Sequence, residues 1–268
     1  MTSGTRVVGG PAGIRLALLG DPVGHSRSPA IHSAALAARG VAGRYEARRV
    51  DEAGLLAAFE EIRSGELDGA NVTTPHKARA ATACDHLSPE ARAAGAVNTV
   101  AATGEVLFGW NTDAVAAGEM VATLPEAPIL VLGAGPAAAA VLVGVDDHQR
   151  IVSARRRSAA QALADRLPGP IAVVEWGAPP LEPVVLVNAT RIGMVPGEGA
   201  SLPLDGVRGV IDLPYGDTPT DLVKAAGAAG IPFRDGVDFL VAQAAAAFEI
   251  WTGVVAPRAV MHAAATGT

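Results

Sequence analysis

Cysteine, lysine and aromatic residues are all scarce in this sequence, and each shortage removes a class of explanation. The single cysteine, Cys84, leaves no partner for an internal disulfide and no thiolate cluster for a metal. Such economy suits a reducing compartment, so a cytoplasmic location is expected. Aromatics make up 4% of the 268 residues while half are apolar, so the core must be built from Ala, Val and Leu. The formal charge of −6 argues against a nucleic-acid surface, and the only basic cluster is Arg155-Arg156-Arg157. The opening Met1–Gly13 is Gly-rich without an apolar centre, so no signal peptide is expected. The run Ala127–Val145 has no charge over 19 residues, long enough to nominate a membrane helix. Gly133, Gly135 and Pro136 break it in the middle, however, and a strand, a tight turn and a buried helix account for it better.

The shortage of lysine is itself informative. The chain has 19 Arg and only 2 Lys, Lys77 and Lys224, so a retained Lys points to a place where guanidinium cannot serve, such as one where a proton is given and taken back. Lys77 closes the stretch Asn71-Val72-Thr73-Thr74-Pro75-His76-Lys77, which follows a half-apolar run reading as the end of a buried strand. Pro75 stops the extended chain and suits the first turn of a helix. Asn71, Thr73 and Lys77 should then meet at a strand end, where open α/β sheets place their ligands. An amide, a hydroxyl and an ammonium fit a small polyhydroxylated molecule.

Ile14–Leu19 reads as a first strand, and Ser26-Arg27-Ser28-Pro29 leads into a helix over residues 29–39. Ser28 is placed as its N-cap with Pro29 at the first helical position. Ser26 has no evident structural duty and leans toward ligand binding; two hydroxyls beside unpaired helix N–H groups make a carboxylate cradle. A strand over Tyr45–Val50 and a helix over Leu55–Ile62 complete a β-α-β-α-β opening, which implies a parallel sheet. Ser88 caps a short helix. A hairpin pairs Val97–Ala101 with Glu105–Gly109 about a turn at Thr103-Gly104 and delivers Asn111-Thr112-Asp113 to another helix. Asn98 is a turn residue or a ligand, and Asp113 a first-turn acid or a catalytic one.

The second half opens on Ile129–Leu132 followed by Gly133-Ala134-Gly135-Pro136-Ala137-Ala138, a strand running into a Gly-x-Gly-x-x-Ala turn and an Ala-rich helix, the dinucleotide-binding pattern. After the next strand, where an NAD site would offer a carboxylate, come three arginines suited to a 2′-phosphate; NADP is therefore expected. Further strands end at Asn188-Ala189-Thr190 and at Asp212-Leu213-Pro214-Tyr215. A helix over Phe239–Trp251 carries Gln243 among small residues, where it is a rim residue or a ligand.

With these motifs in this order, nearly the whole chain beyond its first dozen residues resembles the shikimate dehydrogenase family. The carriers are Ser26-x-Ser28-Pro29, Asn71-Val72-Thr73 with Lys77, Gly95–Thr99, Asn111–Asp113, the Gly133 turn, Asn188-Ala189-Thr190 and Gln243-Ala244-Ala245. The resemblance implies two α/β domains: a mostly parallel substrate domain over residues 1–113, completed by C-terminal helices over 239–268, and a Rossmann-like NADP domain over 114–238, with both ligands in a groove they share. It implies that Ser26 and Ser28 bind the carboxylate of shikimate or 3-dehydroshikimate, with Tyr215 nearby. It assigns ring hydroxyls to Asn71, Thr73, Asn98 and Gln243, and the catalytic roles to Lys77 and Asp113. Gly133, Ala134, Gly135, Pro136, Ala137, Arg155, Arg156, Asn188, Thr190 and Asp238 would serve the cofactor. The implied reaction is the reversible NADP-linked reduction of 3-dehydroshikimate to shikimate by a monomer or homodimer.

Four positions, making three departures, differ from the family pattern. Pro136 stands where a further Gly is usual. Ala154 and Arg156 replace the Asn and Thr of an Asn-Arg-Thr phosphate clamp, so the adenosine end is expected to be gripped differently. Asp238 replaces a Gly close to the nicotinamide. A quinate or amino-analogue dehydrogenase, and a non-catalytic shikimate-binding homologue, are the alternatives.

Overall fold

The computed structural model describes residues 13–194 and 204–267; most of the Gly-rich opening on which the leader-peptide reading rested lies outside them. The chain forms two compact units, one of Met1–Thr112 with Val241–Thr268, the other of Asp113–Leu240.

The first unit begins β1 (Ile14–Gly20), α1 (Ser28–Ala38), β2 (Gly43–Arg49), α2 (Glu52–Ser64) and β3 (Gly69–Val72). The three strands pair in parallel with β1 in the centre, the outcome expected of a β-α-β-α-β opening. The ends of α2 follow local rules: the Asp51 carboxylate accepts the Gly54 N–H at 2.8 Å, and Gly65 closes the helix in the left-handed region at φ 75°. Next come α3 (Lys77–Ala83), β4 (His86–Leu87), α4 (Pro89–Ala94), β5 (Thr99–Thr103) and β6 (Val106–Trp110), giving the sheet order β2-β1-β3-β5-β6-β4. Ser88 does cap α4, through the Ala91 N–H. The hairpin is antiparallel as expected but its strands start later, pairing Thr99 with Trp110 and Thr103 with Val106. Leu19, Leu55, Phe59, Ile62, Val72, Val100 and Leu107 close the core.

The second unit holds α5 (Thr112–Val121) from Asp113 onward, β7 (Ile129–Leu132), α6 (Pro136–Gly144), β8 (Arg150–Ser153), α7 (Arg157–Arg166), β9 (Ile171–Val174), β10 (Val184–Asn188), β11 (Val207–Asp212), α8 (Asp221–Ala228) and β12 (Phe233–Arg234). All neighbours in this sheet are parallel, in the order β12-β11-β10-β7-β8-β9. The winding reverses beside β7, and the carboxyl end of such a reversal is where a doubly wound sheet receives its ligand. The uncharged run over Ala127–Val145 is β7, a turn and α6, and no helix among the described residues is long and apolar enough to cross a membrane. The chain continues through α9 (Gly236–Thr252) to α10 (Arg258–Thr266); Arg27 of the first unit donates to the Ala265 carbonyl near its end at 2.9 Å.

Helices α5 and α6 approach closely because they meet through glycines. A Cβ on Gly144 would run into the carbonyl oxygen of Ala114, and one on Gly118 would lie 2.7 Å from the Gly144 carbonyl oxygen. Both obstacles are backbone, which cannot swing aside as a side chain can. Gly144→Ala should therefore destabilise the protein by about 2–3 kcal/mol through overpacking, measured by denaturant unfolding. A midpoint equal to that of the parent would mean the helices part at no cost.

Candidate active site

The carboxyl ends of β1 and β3 assemble the first cluster. Ser28 proves to be the first residue of α1, not its cap; Arg27 holds the cap position without a side-chain capping bond. Ser26, two residues earlier, takes over the orphan donor: its Oγ accepts the Ser28 N–H at 3.2 Å and its hydroxyl donates to Ser28 Oγ at 3.1 Å. The two serines are thus one linked pair, with Ser28 buried and Ser26 half-buried.

Asn71, next to last in β3, is almost fully buried. Its Nδ2 donates to the Asn98 carbonyl and to Thr99 Oγ1, both at 3.0 Å, and its Oδ1 accepts the Tyr45 hydroxyl at 2.8 Å. One Oδ1 lone pair remains, so a ligand hydroxyl would have to donate to it. Asn98 is locked against the start of α5, its Oδ1 accepting the Thr112 N–H at 2.8 Å and its Nδ2 donating to Thr112 Oγ1 at 2.9 Å. Thr73 is half-buried and donates its N–H to the Leu19 carbonyl.

Pro75 sits two residues before α3 rather than in its first turn; His76 occupies the cap position, its Nε2 2.8 Å from the Val50 carbonyl oxygen. The helix therefore starts at Lys77. That residue is half-buried, and its carbonyl accepts the Val97 N–H at 2.9 Å, which ties it to the Asn98 segment. Asn71, the Asn98 segment and the Lys77 backbone are thus joined by hydrogen bonds, and the serine pair lies in the same unit. Gln243 lies half-buried on α9 in the same unit, whereas Asp113, buried in the first turn of α5, and Tyr215 belong to the second.

The second unit carries a cavity of about 760 Å³, lined among others by Gly133, Ala134, Gly135, Arg155, Arg156 and Thr190. Such a volume suits a bound cofactor. Gly133 adopts φ +119°, where a side chain is strained, and its missing Cβ would lie 2.9 Å from the Ala189 carbonyl oxygen. At Gly135 a Cβ would meet nothing within 4 Å. The first glycine is thus required by the turn, while the second leaves room for a ligand. Arg155 and Arg156 are exposed on the wall; Arg157 is engaged elsewhere, donating to Glu175 at 2.6 Å. The residues present fit a dinucleotide phosphate.

Other expected cofactor residues stand apart from the lining. Pro136 opens α6 with Gly135 at its cap, and Ala137 follows. Asn188 is buried beneath the surface: its Oδ1 accepts the Thr190 N–H and hydroxyl at 3.1 and 2.7 Å, and its Nδ2 donates to Asp212 at 2.7 Å. It shapes the loop that carries Thr190. Burial pushes the Asp212 carboxyl up to about 6, against hydrogen bonds from Thr220 and Asn188 that favour its charge. Asp238 has a local duty, accepting the Asp235 N–H at 3.2 Å while Asp235 accepts the N–H groups of Val237 and Asp238 at 2.9 Å. That reciprocal arrangement is a capping box at the start of α9.

Sequence reasoning missed Trp176 and Arg191 in the cavity wall and the buried pair His32 and Tyr45. Signals existed for two of these: His32 lies four residues after Ser28 on one helix face, and Tyr45 is the only buried residue of a charged strand.

Comparison with known proteins agrees with this layout. Residues 18–100 match the shikimate dehydrogenase substrate binding domain, and residues 236–266 match the shikimate 5'-dehydrogenase C-terminal domain. The chain is 41% identical to shikimate dehydrogenase (NADP(+)) of Anaeromyxobacter sp. (strain Fw109-5), over 92% of this chain and 94% of that protein. The crystal structure of shikimate 5-dehydrogenase from Thermus thermophilus, in complex with NADP(H) and shikimate, superposes with a TM-score of 0.83 at 36% identity, covering 94% of this chain and 98% of that one. Quinate dehydrogenase from Corynebacterium glutamicum, in complex with NAD, gives a TM-score of 0.83 at 29% identity, covering 96% and 99%.

Proposed function

This chain belongs to the shikimate dehydrogenase family, and from that premise we propose that it reversibly reduces 3-dehydroshikimate to shikimate with NADP, using Lys77 and Asp113 as the acid–base pair. What supports the reading is that most residues expected at the substrate fall in the first unit and the cofactor turn falls in the second, which also contributes Asp113 and Tyr215. A serine–asparagine–lysine region occupies the first, and a glycine turn with two arginines occupies the second.

When bound, the cofactor supplies the hydride. The Gly133–Ala137 turn would hold its pyrophosphate with backbone N–H groups, and Arg155 with Arg156 its 2′-phosphate. Thr190, steadied by Asn188, would line the site. Ser26 and Ser28 would donate to the substrate carboxylate, with Tyr215 near it, while Asn71, Thr73, Asn98 and Gln243 would orient ring hydroxyls. Lys77 would donate its proton to the oxygen developing negative charge and recover it in the reverse direction. Asp113 would orient that ammonium. Asp238, whose carboxylate accepts the Asp235 N–H at the start of α9, would lie beside the cofactor. The protein's partners are then small molecules, in a monomer or homodimer located in the cytoplasm, and the net charge of −6 disfavours nucleic acid.

Steady-state rates with shikimate and quinate, each with NADP and NAD, test the proposal. Shikimate with NADP should lead in kcat/KM by about tenfold or more. A lead for quinate would replace the substrate assignment. Intact shikimate binding with no turnover from neutral to alkaline pH would make the protein a sensor.

A further inference from the structure

Beneath the serine pair lies a buried aromatic trio that the proposed chemistry does not use. His32 is fully buried, and neither ring nitrogen reaches a hydrogen-bond partner, although the Asn71 amide faces it. Burial pushes its pKa down to about 3, so the ring is neutral. It stacks on Tyr45 with ring centroids 4.4 Å apart and planes 11° from parallel. Trp251 closes the group, 5.3 Å from His32 and 6.3 Å from Tyr45, and its indole N–H is fixed to the Val100 carbonyl at 3.1 Å.

The phenol of Tyr45 points at two residues assigned to substrate. Its hydroxyl donates to Asn71 Oδ1 at 2.8 Å, and it also faces Ser28. Ser28 comes from the start of α1, Asn71 from the end of β3 and Tyr45 from β2 between their sequence positions. One oxygen therefore sits between the group meant for the carboxylate and the group meant for a ring hydroxyl. The neutral His32 ring, packed flat against the phenol, restricts where that oxygen can lie.

We propose that Tyr45 is a positioning residue for substrate, its hydroxyl setting the spacing between Ser28 and Asn71 and His32 holding its ring in plane. This rests on the reading of Ser28 and Asn71 as substrate ligands. The Tyr45→Phe variant keeps the ring and loses only the oxygen. Its KM for shikimate should rise about three- to tenfold, the scale of one buried hydrogen bond, while kcat and the KM for NADP stay near their parent values. Because the oxygen acts through Ser28, the combined Tyr45→Phe and Ser28→Ala variant should lose less than the product of the two single losses. His32→Ala should reproduce the KM rise and His32→Phe, which restores a flat ring, should reverse it. An unchanged shikimate KM in both Tyr45→Phe and His32→Ala, or losses that simply multiply, would overturn the proposal while leaving the function intact. If Ser28→Ala alone leaves shikimate KM unchanged, the ligand assignment beneath it falls, and the proposal falls with it.

Discussion

In the Lys77→Ala variant, kcat should drop by about 10²- to 10⁴-fold, the usual worth of a positioned general acid, while shikimate still binds. The position is suited to this because Lys77 opens α3 directly after β3, half-buried, with its backbone tied to the Asn98 segment at 2.9 Å. Removal of the amine leaves that backbone bond and the Asn71 network in place, so the loss should fall on turnover rather than on affinity. Lys77→Arg supplies the sharper comparison. A guanidinium keeps the charge but does not release its proton at accessible pH, so charge alone should not rescue the reaction. Turnover near the parent rate in Lys77→Arg would reduce Lys77 to an electrostatic role, and full activity in Lys77→Ala would remove it from the chemistry. Rates under saturating substrate, with shikimate affinity measured by calorimetry, separate these outcomes.

The second large effect concerns the cofactor. Replacing Arg155 and Arg156 together with Ala should weaken NADP binding by about 100-fold, taking about 1.4 kcal/mol, or tenfold, for each exposed charge-assisted contact. NAD lacks the 2′-phosphate, so its binding should change little and the preference between the two cofactors should collapse. Added salt should weaken NADP binding to the parent more than to the variant, because exposed charges are screened. Arg157→Ala is the internal control. That side chain is engaged with Glu175 and lies outside the cavity wall, so NADP affinity should stay near the parent value. Equal damage from Arg157 would mean the cluster acts as a diffuse field rather than through two placed side chains.

Much of this architecture was legible before any coordinate. Alternation in β1 and the glycine turn after β7 each carry a local rule, and the Ser88 cap follows another. Elements decided by tertiary company were harder. Strand β9 is apolar throughout but only four residues long, too short for periodicity to tell a strand from a buried helix segment; β4 and β12 are two residues each, below any periodic signal. The capping duty expected of Ser28 falls instead to Ser26, since Arg27 at the cap position carries no capping side chain and a nearby hydroxyl serves. The bonds between Asp238 and Asp235 were not legible because they matter only once the α9 start exists. His32 and Tyr45 each left a hint on their own element, but their pairing did not: a stack between a helix and a strand has no signature along the chain.

The first unit is interrupted. Its opening 112 residues wait for Val241–Thr268 while all of Asp113–Leu240 is made in between. Trp251, wholly buried there, finds the Val100 carbonyl 151 positions back. During synthesis the later-encoded unit can therefore close while the earlier one is still missing its keystone indole, so the order of emergence from the ribosome and the order of completion are opposite.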